Sequence, residues 1–391
     1  MKKIILSILI ISISFALKAQ NSNNDTIINS AQRILNSNSK ITIGGYAQMD
    51  YNQEFNKNGK MDIHRMVFLT GYKFSENVRF VTELELEHVK EVYVEQAFIN
   101  WRLNDYINFR GGLMLVPMGI VNEYHEPVTY NGIERPNVDK YIIPSTWREI
   151  GAGFSGTIAD YGLKYQVYIM NGFSSYNGSA NLSGKSALRS GRQKGAESTF
   201  TNPNLTTKIE YFGINKLKLG ISGYFGKSQS TLFNNTEDEN FVQSQADSSI
   251  IGLSMMSVDA RFKSKGLEAR GQYVLGNISN TNQYNSKFGT NLGSSIQGYY
   301  LEAGYDILRF FKYNTKRKLV LFSRFENYNT HHKVENEIIK NKSYNRTEVT
   351  YGLTFHITNG VALKADFQQF KNNSKESTFQ NRVNFGIGVW Y

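Results

Sequence analysis

Apolar and polar residues alternate with a period of two along most of the chain beyond residue 40. From Val349 to Ile357 every second side chain is apolar, and threonine, glycine and histidine stand between them. The same alternation runs through 41–50, 79–87 and 361–368. This period predicts β-strands with one apolar and one polar face.

Sixteen segments of the chain follow this pattern. The weakest is 249–264, because either face could be the apolar one around Met255 and Met256. The predicted strands span 41–52, 61–74, 77–89, 91–103, 107–117, 148–158, 161–172, 204–213, 216–228, 249–264, 266–278, 294–306, 318–331, 344–357, 360–371 and 379–391.

The connections between these segments alternate in length. Tight turns are expected near Asn104, Ala159, Ile214, Ser264 and Thr358, and long polar connections are expected at 173–203, 227–248 and 277–293. Short turns at one end and long loops at the other are typical of transmembrane barrels, whereas a soluble sandwich has no reason to alternate in this way. The sequence therefore predicts an all-β fold, a closed antiparallel transmembrane β-barrel of about 16 strands.

The first residues predict export from the cytoplasm. Lys2 and Lys3 precede an apolar run from Ile4 to Leu17, and a small residue, Ala19, follows it. This order is that of a signal peptide, with cleavage after Ala19. An uncleaved anchor is the alternative, although the run is shorter than the roughly 20 apolar residues of a membrane span. The expected organisation is a signal peptide at 1–19, a partly helical periplasmic segment at 20–40 and the barrel at 41–391.

Composition agrees with a membrane barrel. The mean hydropathy of −0.41 would suggest a soluble protein, but only every second strand residue of such a barrel faces lipid. Aromatic residues make up 13% of the chain, and proline, which strands exclude, occurs only 5 times. The net charge of +11 is spread along the chain rather than clustered, which argues against a nucleic-acid partner.

The last strand has the most regular alternation. Apolar residues stand at every second position and the chain ends on an aromatic side chain. This resembles the C-terminal signal that hands outer-membrane barrels to their insertion machinery. We therefore expect the outer membrane of a Gram-negative bacterium, with lipid and lipopolysaccharide around the barrel. The contact with the insertion machinery is expected through Phe385, Ile387, Val389 and Tyr391.

The third outer connection, residues 118–147, differs from the other loops. It is charged and contains Pro127, Pro136 and Pro144, three of the five prolines of the chain. Prolines stiffen a loop, and long ordered loops in compact folds are usually functional. We expect this loop to fold into the lumen and constrict a pore, the alternative being a solvated outer loop.

Residues that could carry catalysis or hold a metal ion are few. Cysteine is absent, and the six histidines lack the His-Glu-x-x-His spacing of a metal site. His356 falls on the lumen face, but no serine is identifiable as its partner. We therefore expect no catalytic residue, metal or cofactor. A phospholipase-like barrel enzyme and a plugged structural or adhesive barrel stay open as alternatives to a channel.

The front half of the chain resembles a known family. The stretches 95–103, 109–112 and 117–120, with 45–48, 148–156 and 168–172, are similar in order and spacing to the phosphate-selective porin O and P family. The resemblance covers roughly 41–172 and implies sixteen strands, a homotrimer and an inward-folded third loop. Glu83, Glu85 and Glu87 oppose simple anion selectivity, so the resemblance extends to a porin and not to phosphate.

Charged residues on the polar faces and in the third loop are the predicted pore lining. The basic and acidic groups nearly balance, which predicts weak selectivity and a transverse field across the constriction. Further lumen cations at Lys164, Lys208, Arg261, Lys263, Arg270 and Arg324 are expected to favour anions. The predicted function is a porin, a passive channel for small hydrophilic solutes with a modest anion preference. The constriction residues are Arg65, Arg79, Glu83, Glu85, Glu87, Arg102, Arg110, Glu123, Glu126, Glu134, Arg135, Asp139 and Lys140.

Overall fold

Sixteen β-strands close into one antiparallel barrel. The structure, a computed structural model, describes residues 28–234, 244, 246–311, 317–335 and 338–391. Within these ranges each barrel strand pairs with the barrel strand before it, and the first pairs with the last, with Tyr46 opposite Trp390. The prediction of a closed antiparallel barrel with sixteen strands is confirmed. The predicted signal peptide lies outside the described residues.

The observed strands agree with the predicted spans to within about three residues. Two short strands, β8 (Ser174–Tyr176) and β11 (Gln229–Ser230), form a separate parallel pair that is not part of the barrel sheet. The strands are β1 (Ile41–Glu54), β2 (Lys60–Lys73), β3 (Val78–Glu87), β4 (Glu91–Arg102), β5 (Asn108–Leu115), β6 (Arg148–Ile158), β7 (Leu163–Met170), β8 (Ser174–Tyr176), β9 (Asn204–Tyr211), β10 (Leu217–Lys227), β11 (Gln229–Ser230), β12 (Gly252–Ser264), β13 (Leu267–Ser279), β14 (Ser295–Asp306), β15 (Lys318–Lys333), β16 (Asn345–Thr358), β17 (Val361–Asn372) and β18 (Gln380–Trp390).

The outer face of the barrel is apolar and the inner face is polar. On β15, Leu321 and Phe325 are exposed on the outside, while Arg324 and Glu326 are buried inside. This alternation is the reverse of a soluble barrel and places the apolar band against lipid. None of the described helices is long and apolar enough to cross a membrane.

The core lies inside the barrel. The chain between β5 and β6, which we call loop 3 (residues 116–147), packs apolar side chains in the lumen, among them Met118, Ile142 and Trp147. The Trp147 ring lies 4.5 Å from the rings of Phe173 and Tyr224, measured between ring centroids. Loop 3 contains the short helix α2 (Val138–Tyr141). A wall of strands thus surrounds a packed loop.

Each end of the barrel is also covered. At the outer end the hydroxyl of Tyr284, in helix α3 (Thr281–Phe288), accepts a hydrogen bond from the Leu182 amide at 3.1 Å. At the end with the short turns, which is periplasmic in such barrels, helix α1 (Ser30–Asn36) lies against the inner wall. Part of the segment 20–40, for which we expect a periplasmic lead-in, forms this helix and enters the mouth of the barrel.

Candidate functional site

Loop 3 is held to the barrel wall by side chains from many strands. On β17, Lys364 Nζ donates to the carbonyls of Tyr130 (2.8 Å) and Gly132 (2.7 Å). On the same strand, Asp366 Oδ2 accepts from the Ile133 amide at 2.7 Å. Each of these contacts satisfies a backbone group of the loop tip that is buried away from water.

The next anchors lie on β14 and β15. The guanidinium of Arg324 lies 3.1 Å from Glu326 and 3.3 Å from Glu302, and it also donates to the Glu134 carbonyl at 3.1 Å. Glu302 in turn accepts from the Asn131 amide group at 3.1 Å. The loop and the wall therefore share one buried network of charges.

A glutamine on β13 fixes the start of loop 3. Gln272 Oε1 accepts from the Ile120 amide at 2.7 Å, and its Nε2 donates to Asp139 Oδ1 at 2.8 Å. A Cβ atom at Gly119 would lie 2.5 Å from Gln272 Oε1, and Gly119 has a φ of +63°. Only glycine therefore allows this close approach of loop and wall.

Glu123 of loop 3 meets two strands at once. Its Oε2 lies 2.5 Å from Lys208 Nζ on β9, and its Oε1 accepts from Gln166 Nε2 on β7 at 2.7 Å. Burial acts to raise the pKa of Glu123, but the charges of Lys208 and Lys164 outweigh it and hold that pKa at about 2. Glu123 is therefore ionised and firmly paired.

A histidine of loop 3 lies in a buried cluster with side chains from β1, β3 and β4. His125 Nε2 lies 2.9 Å from the Tyr46 hydroxyl and 3.3 Å from Glu95 Oε2, and Tyr46 donates to Glu83 Oε1 at 2.8 Å. His125 Nδ1 faces the Asn122 carbonyl at 3.2 Å. Burial acts to lower the pKa of His125, but Glu95 and Glu83 outweigh it and raise that pKa to about 10.

The same cluster contains the donor types of a metal site. One atom each of Glu83, Glu95 and His125 lies within 4.8 Å of the others. The Tyr46 hydroxyl already makes hydrogen bonds within this space. The guanidinium of Arg65 lies 3.5 Å from Glu85, and that of Arg148 lies 3.5 Å from Glu95. Protonated His125 faces the carboxylates of Glu83 and Glu95, so the cluster anchors loop 3 to the wall.

The predicted constriction residues occupy different parts of the barrel. Those buried at the contact between loop and wall are Arg65, Glu83, Glu85, Glu123, Glu126 and Asp139. Glu87, Glu134 and Arg135 are half-buried, and Lys140 is exposed. Arg110 donates to Asn100 at 2.8 Å, and Arg79 contacts α1. Arg102 is not brought to the others, because it pairs with Asp105 at an exposed periplasmic turn.

Most of the cations expected to favour anions have carboxylate partners. Arg261 lies 2.8 Å from Glu210, Lys263 lies 2.7 Å from Glu268, and Arg270 lies 2.9 Å from Glu302. Lys208 and Arg324 are paired as described above. The expected surplus of positive charge on the wall is thus largely compensated.

Basic residues without such pairing gather at the outer mouth. Arg189 and Arg192, in the loop after β7, donate to loop 3 carbonyls, at 2.6 Å to Ser145 and 3.1 Å to Pro144. Burial, together with the nearby charges of Arg189 and Arg148, lowers the pKa of Arg192 to about 9. Among the described residues, Arg189, Arg192 and Lys194 form no ion pair within 4.0 Å.

Sequence reasoning missed several residues that hold loop 3. Tyr46 and Glu95 lie in the stretches that carry the family resemblance, but no pattern marks them as contacts of loop 3, and a register shift between Glu83 and Leu84 interrupts the alternation beside Glu95. Lys364 lies on the polar face of a predicted strand, which indicates that its side chain points into the lumen. Its partners are main-chain carbonyls of loop 3, and no pattern of residue types marks a carbonyl as a partner.

Comparisons with known proteins support this fold. No family model matches the chain. An uncharacterized protein of Aquifex aeolicus is 29% identical over 356 residues, covering 88% of this chain and 79% of that protein. The trimer form of OmpT, an outer membrane protein of Vibrio cholerae, is 10% identical with a TM-score of 0.56, covering 90% of this chain and 99% of its own.

Two further solved structures are similar over nearly their whole length. An anion-selective porin from Comamonas acidovorans has a TM-score of 0.54 at 10% identity, covering 90% of this chain and 99% of its own. The outer membrane channel DcaP of Acinetobacter baumannii has a TM-score of 0.56 at 10% identity, covering 90% and 97%. The predicted barrel fold, and with it the outer-membrane location, is confirmed. The phosphate-selective family stays a prediction.

Proposed function

We propose that this barrel is a porin, a passive channel for small hydrophilic solutes with a modest anion preference. The observation that carries the proposal is loop 3, which crosses the lumen and is bound to strands on opposite sides of it. A charged loop across a closed transmembrane barrel is a constriction, and its width and charge select what diffuses past.

The same packing makes the described state narrow. The side chains that join loop 3 to the wall are nearly all buried, and a cavity of about 30 Å³ beside Arg110 and Lys164 has room for little more than water. Permeation therefore requires movement of the segments that fill the lumen. We expect low conductance with distinct open and closed levels.

The outer mouth is the proposed source of the anion preference. The wall cations are largely paired, whereas Arg189, Arg192 and Lys194 present positive charge where solutes enter. Charge at the mouth of a narrow passage raises the local concentration of the opposite ion. Such an effect is modest and sensitive to salt.

Planar-bilayer recording tests the proposal. Stepwise ohmic current is expected, with a reversal potential in a KCl gradient that indicates a modest preference for chloride. That preference should fade toward 1 M salt, where the screening length is roughly 3 Å. Strong cation selectivity would contradict the anion preference.

A plugged structural barrel is the second candidate, and the burial of the lumen side chains favours it. Absence of current at every voltage, for the wild type and for variants that loosen the lumen, would establish that reading. We further propose that the chain is not an enzyme, and we expect no hydrolysis of phospholipid by the purified barrel. An ester-hydrolysing activity that copurifies with the folded barrel would overturn this.

The proposed assembly is a homotrimer. Its support is the resemblance over 41–172 and the trimer form of OmpT. We also propose that the end of β18 is read by the insertion machinery. Gel mobility of unheated and heated samples, with cross-linking in detergent, measures the oligomer.

A further inference from the structure

Helix α1 occupies the periplasmic mouth of the barrel and touches loop 3. Asn29 caps the helix through a hydrogen bond from the Gln32 amide at 2.9 Å. The amide of Ser30 donates to Glu126 Oε1 of loop 3 at 2.5 Å, and both residues are buried. The beginning of α1 and loop 3 therefore meet inside the lumen.

The wall has a place for this helix. Ile34 is buried against Gly71 of β2, where a Cβ atom added to the glycine would lie 3.5 Å from Ile34 Cβ and would clash with its methyl group. Arg79 of β3 donates to the Leu35 carbonyl at 2.6 Å and to the Ser37 carbonyl. On neighbouring strands, Gly71 thus leaves room for one face of α1, and Arg79 binds the carbonyls at its C-terminal end.

Further contacts of α1 are both apolar and polar, since Ala31 is buried in the core and Leu35 packs against it. The guanidinium carbon of Arg33 lies 4.5 Å from the centroid of the Trp390 ring. Asn29 and Gln32 line a cavity of about 30 Å³ with Arg110 and Lys164. A helix of seven residues is not stable alone in water, so α1 is ordered by these contacts. Hydrogen-bonded strands, in contrast, are fixed on both sides.

We propose that residues 28–37 are a plug for the periplasmic mouth that leaves its place when the channel conducts. The inference rests on the proposed channel function. With α1 in place, solute leaving loop 3 meets the helix. With α1 displaced, Arg79 loses its carbonyl partners and faces the water of the mouth. In the closed state Arg79, predicted as a pore-lining charge, is a positioning residue that holds the plug.

A disulfide across the docking contact tests the plug directly. Ile34→Cys with Gly71→Cys places two Cβ atoms about 3.5 Å apart, within the range of a disulfide, and removes the isoleucine methyl that would clash. The chain has no other cysteine. Oxidation is expected to abolish the open level in bilayers, and a reductant is expected to restore it. Wild type given the same oxidant is the control.

A single substitution tests the same contact from the other side. Arg79→Gln removes the guanidinium that holds the end of α1, and the open level should be occupied for a larger fraction of time than in wild type. Arg102→Gln is the matched control. It removes one arginine at the same mouth, from an exposed pair with Asp105, and should behave as wild type.

The outcomes separate this proposal from the porin proposal. If wild type conducts, and neither oxidation of the cysteine pair nor Arg79→Gln changes the current, the plug is wrong and the porin stands. If the oxidised pair is silent and the reduced pair conducts, the plug is supported. If wild type, Arg79→Gln and the reduced pair are all silent, both proposals fail.

Discussion

The charge on His125 determines how firmly loop 3 is held. Its Nδ1 faces a carbonyl and its Nε2 faces a hydroxyl and carboxylates, so both ring nitrogens carry protons. Its pKa is raised to about 10, above the ordinary value near 6.5. The stabilisation is therefore complete below a pH of about 6.5 and is lost as pH rises through about 10.

Asp139 changes the docking of loop 3 in the same direction. Burial raises its pKa to about 7, despite the hydrogen bond from Gln272. A carboxyl whose folded pKa is raised destabilises the docked loop as pH rises from its ordinary value, about 3.9, through about 7. Loop 3 should therefore be held most firmly in mild acid.

Replacing His125 with glutamine tests this dependence. The change removes the cation beside Glu83 and one of the two cations beside Glu95, where Arg148 stays, and breaking a buried pair costs about 3–5 kcal/mol. We expect faster proteolysis of loop 3 at pH 7 and a flatter rise in cleavage between pH 7 and 10 than in wild type. His332→Gln, at the outer end of β15 and away from the cluster, is the control. Identical cleavage profiles for wild type and His125→Gln would refute the anchor.

At the scale of elements, strands were predictable and the filling of the lumen was not. The span 344–357 was expected for β16, and the strand is Asn345–Thr358, because alternation is a property of neighbouring residues. The contact of Asp139 with Gln272 joins residues 133 positions apart, which no local pattern records. Its prolines and charges identify loop 3 as unusual in the sequence. Its contact partners, however, are brought to it only when the barrel closes around the loop.

The tip of loop 3 offers an element-scale prediction. Lys364→Met removes the donor for two buried carbonyls, Tyr130 and Gly132, and each unsatisfied group costs about 1–3 kcal/mol. The register of β17 does not depend on this side chain, so the barrel should fold while the tip loosens and conductance rises. Lys371→Met, on an exposed position of the same strand, is the control. Equal conductance of both variants would show that the tip is not an anchor.

At the scale of the whole molecule, most of the described charges inside the barrel are paired, whereas Arg189, Arg192 and Lys194 at the outer mouth form no ion pair within 4.0 Å among the described residues. The sequence gives the number of charges but not their partners, so the near balance of the predicted lining was visible and its distribution was not. Arg102 was grouped with the constriction because its strand phase is polar. It is the last residue of β4, beside an exposed turn. Strand phase gives the face on which a residue lies and not its depth in the barrel.

The last prediction concerns that outer mouth. Lys194 lies 4.8 Å from the centroid of the Tyr93 ring, and Lys140 is exposed, so neither is tied to a carboxylate within 4.0 Å in the described part of the chain. Lys140→Gln with Lys194→Gln should lower the chloride preference at 0.1 M KCl, where charges act over about 10 Å.

The same double variant should match wild type at 1 M KCl, because screening is then nearly complete within roughly 3 Å. Lys57→Gln is the control, since that outer-loop lysine already lies 2.8 Å from Glu54 and adds little net field. Reversal potentials under a KCl gradient measure all three proteins. A chloride preference that persists unchanged in the double variant would place its origin deeper in the lumen, at the few wall cations such as Lys164 that lack a carboxylate within 4.0 Å in the described ranges.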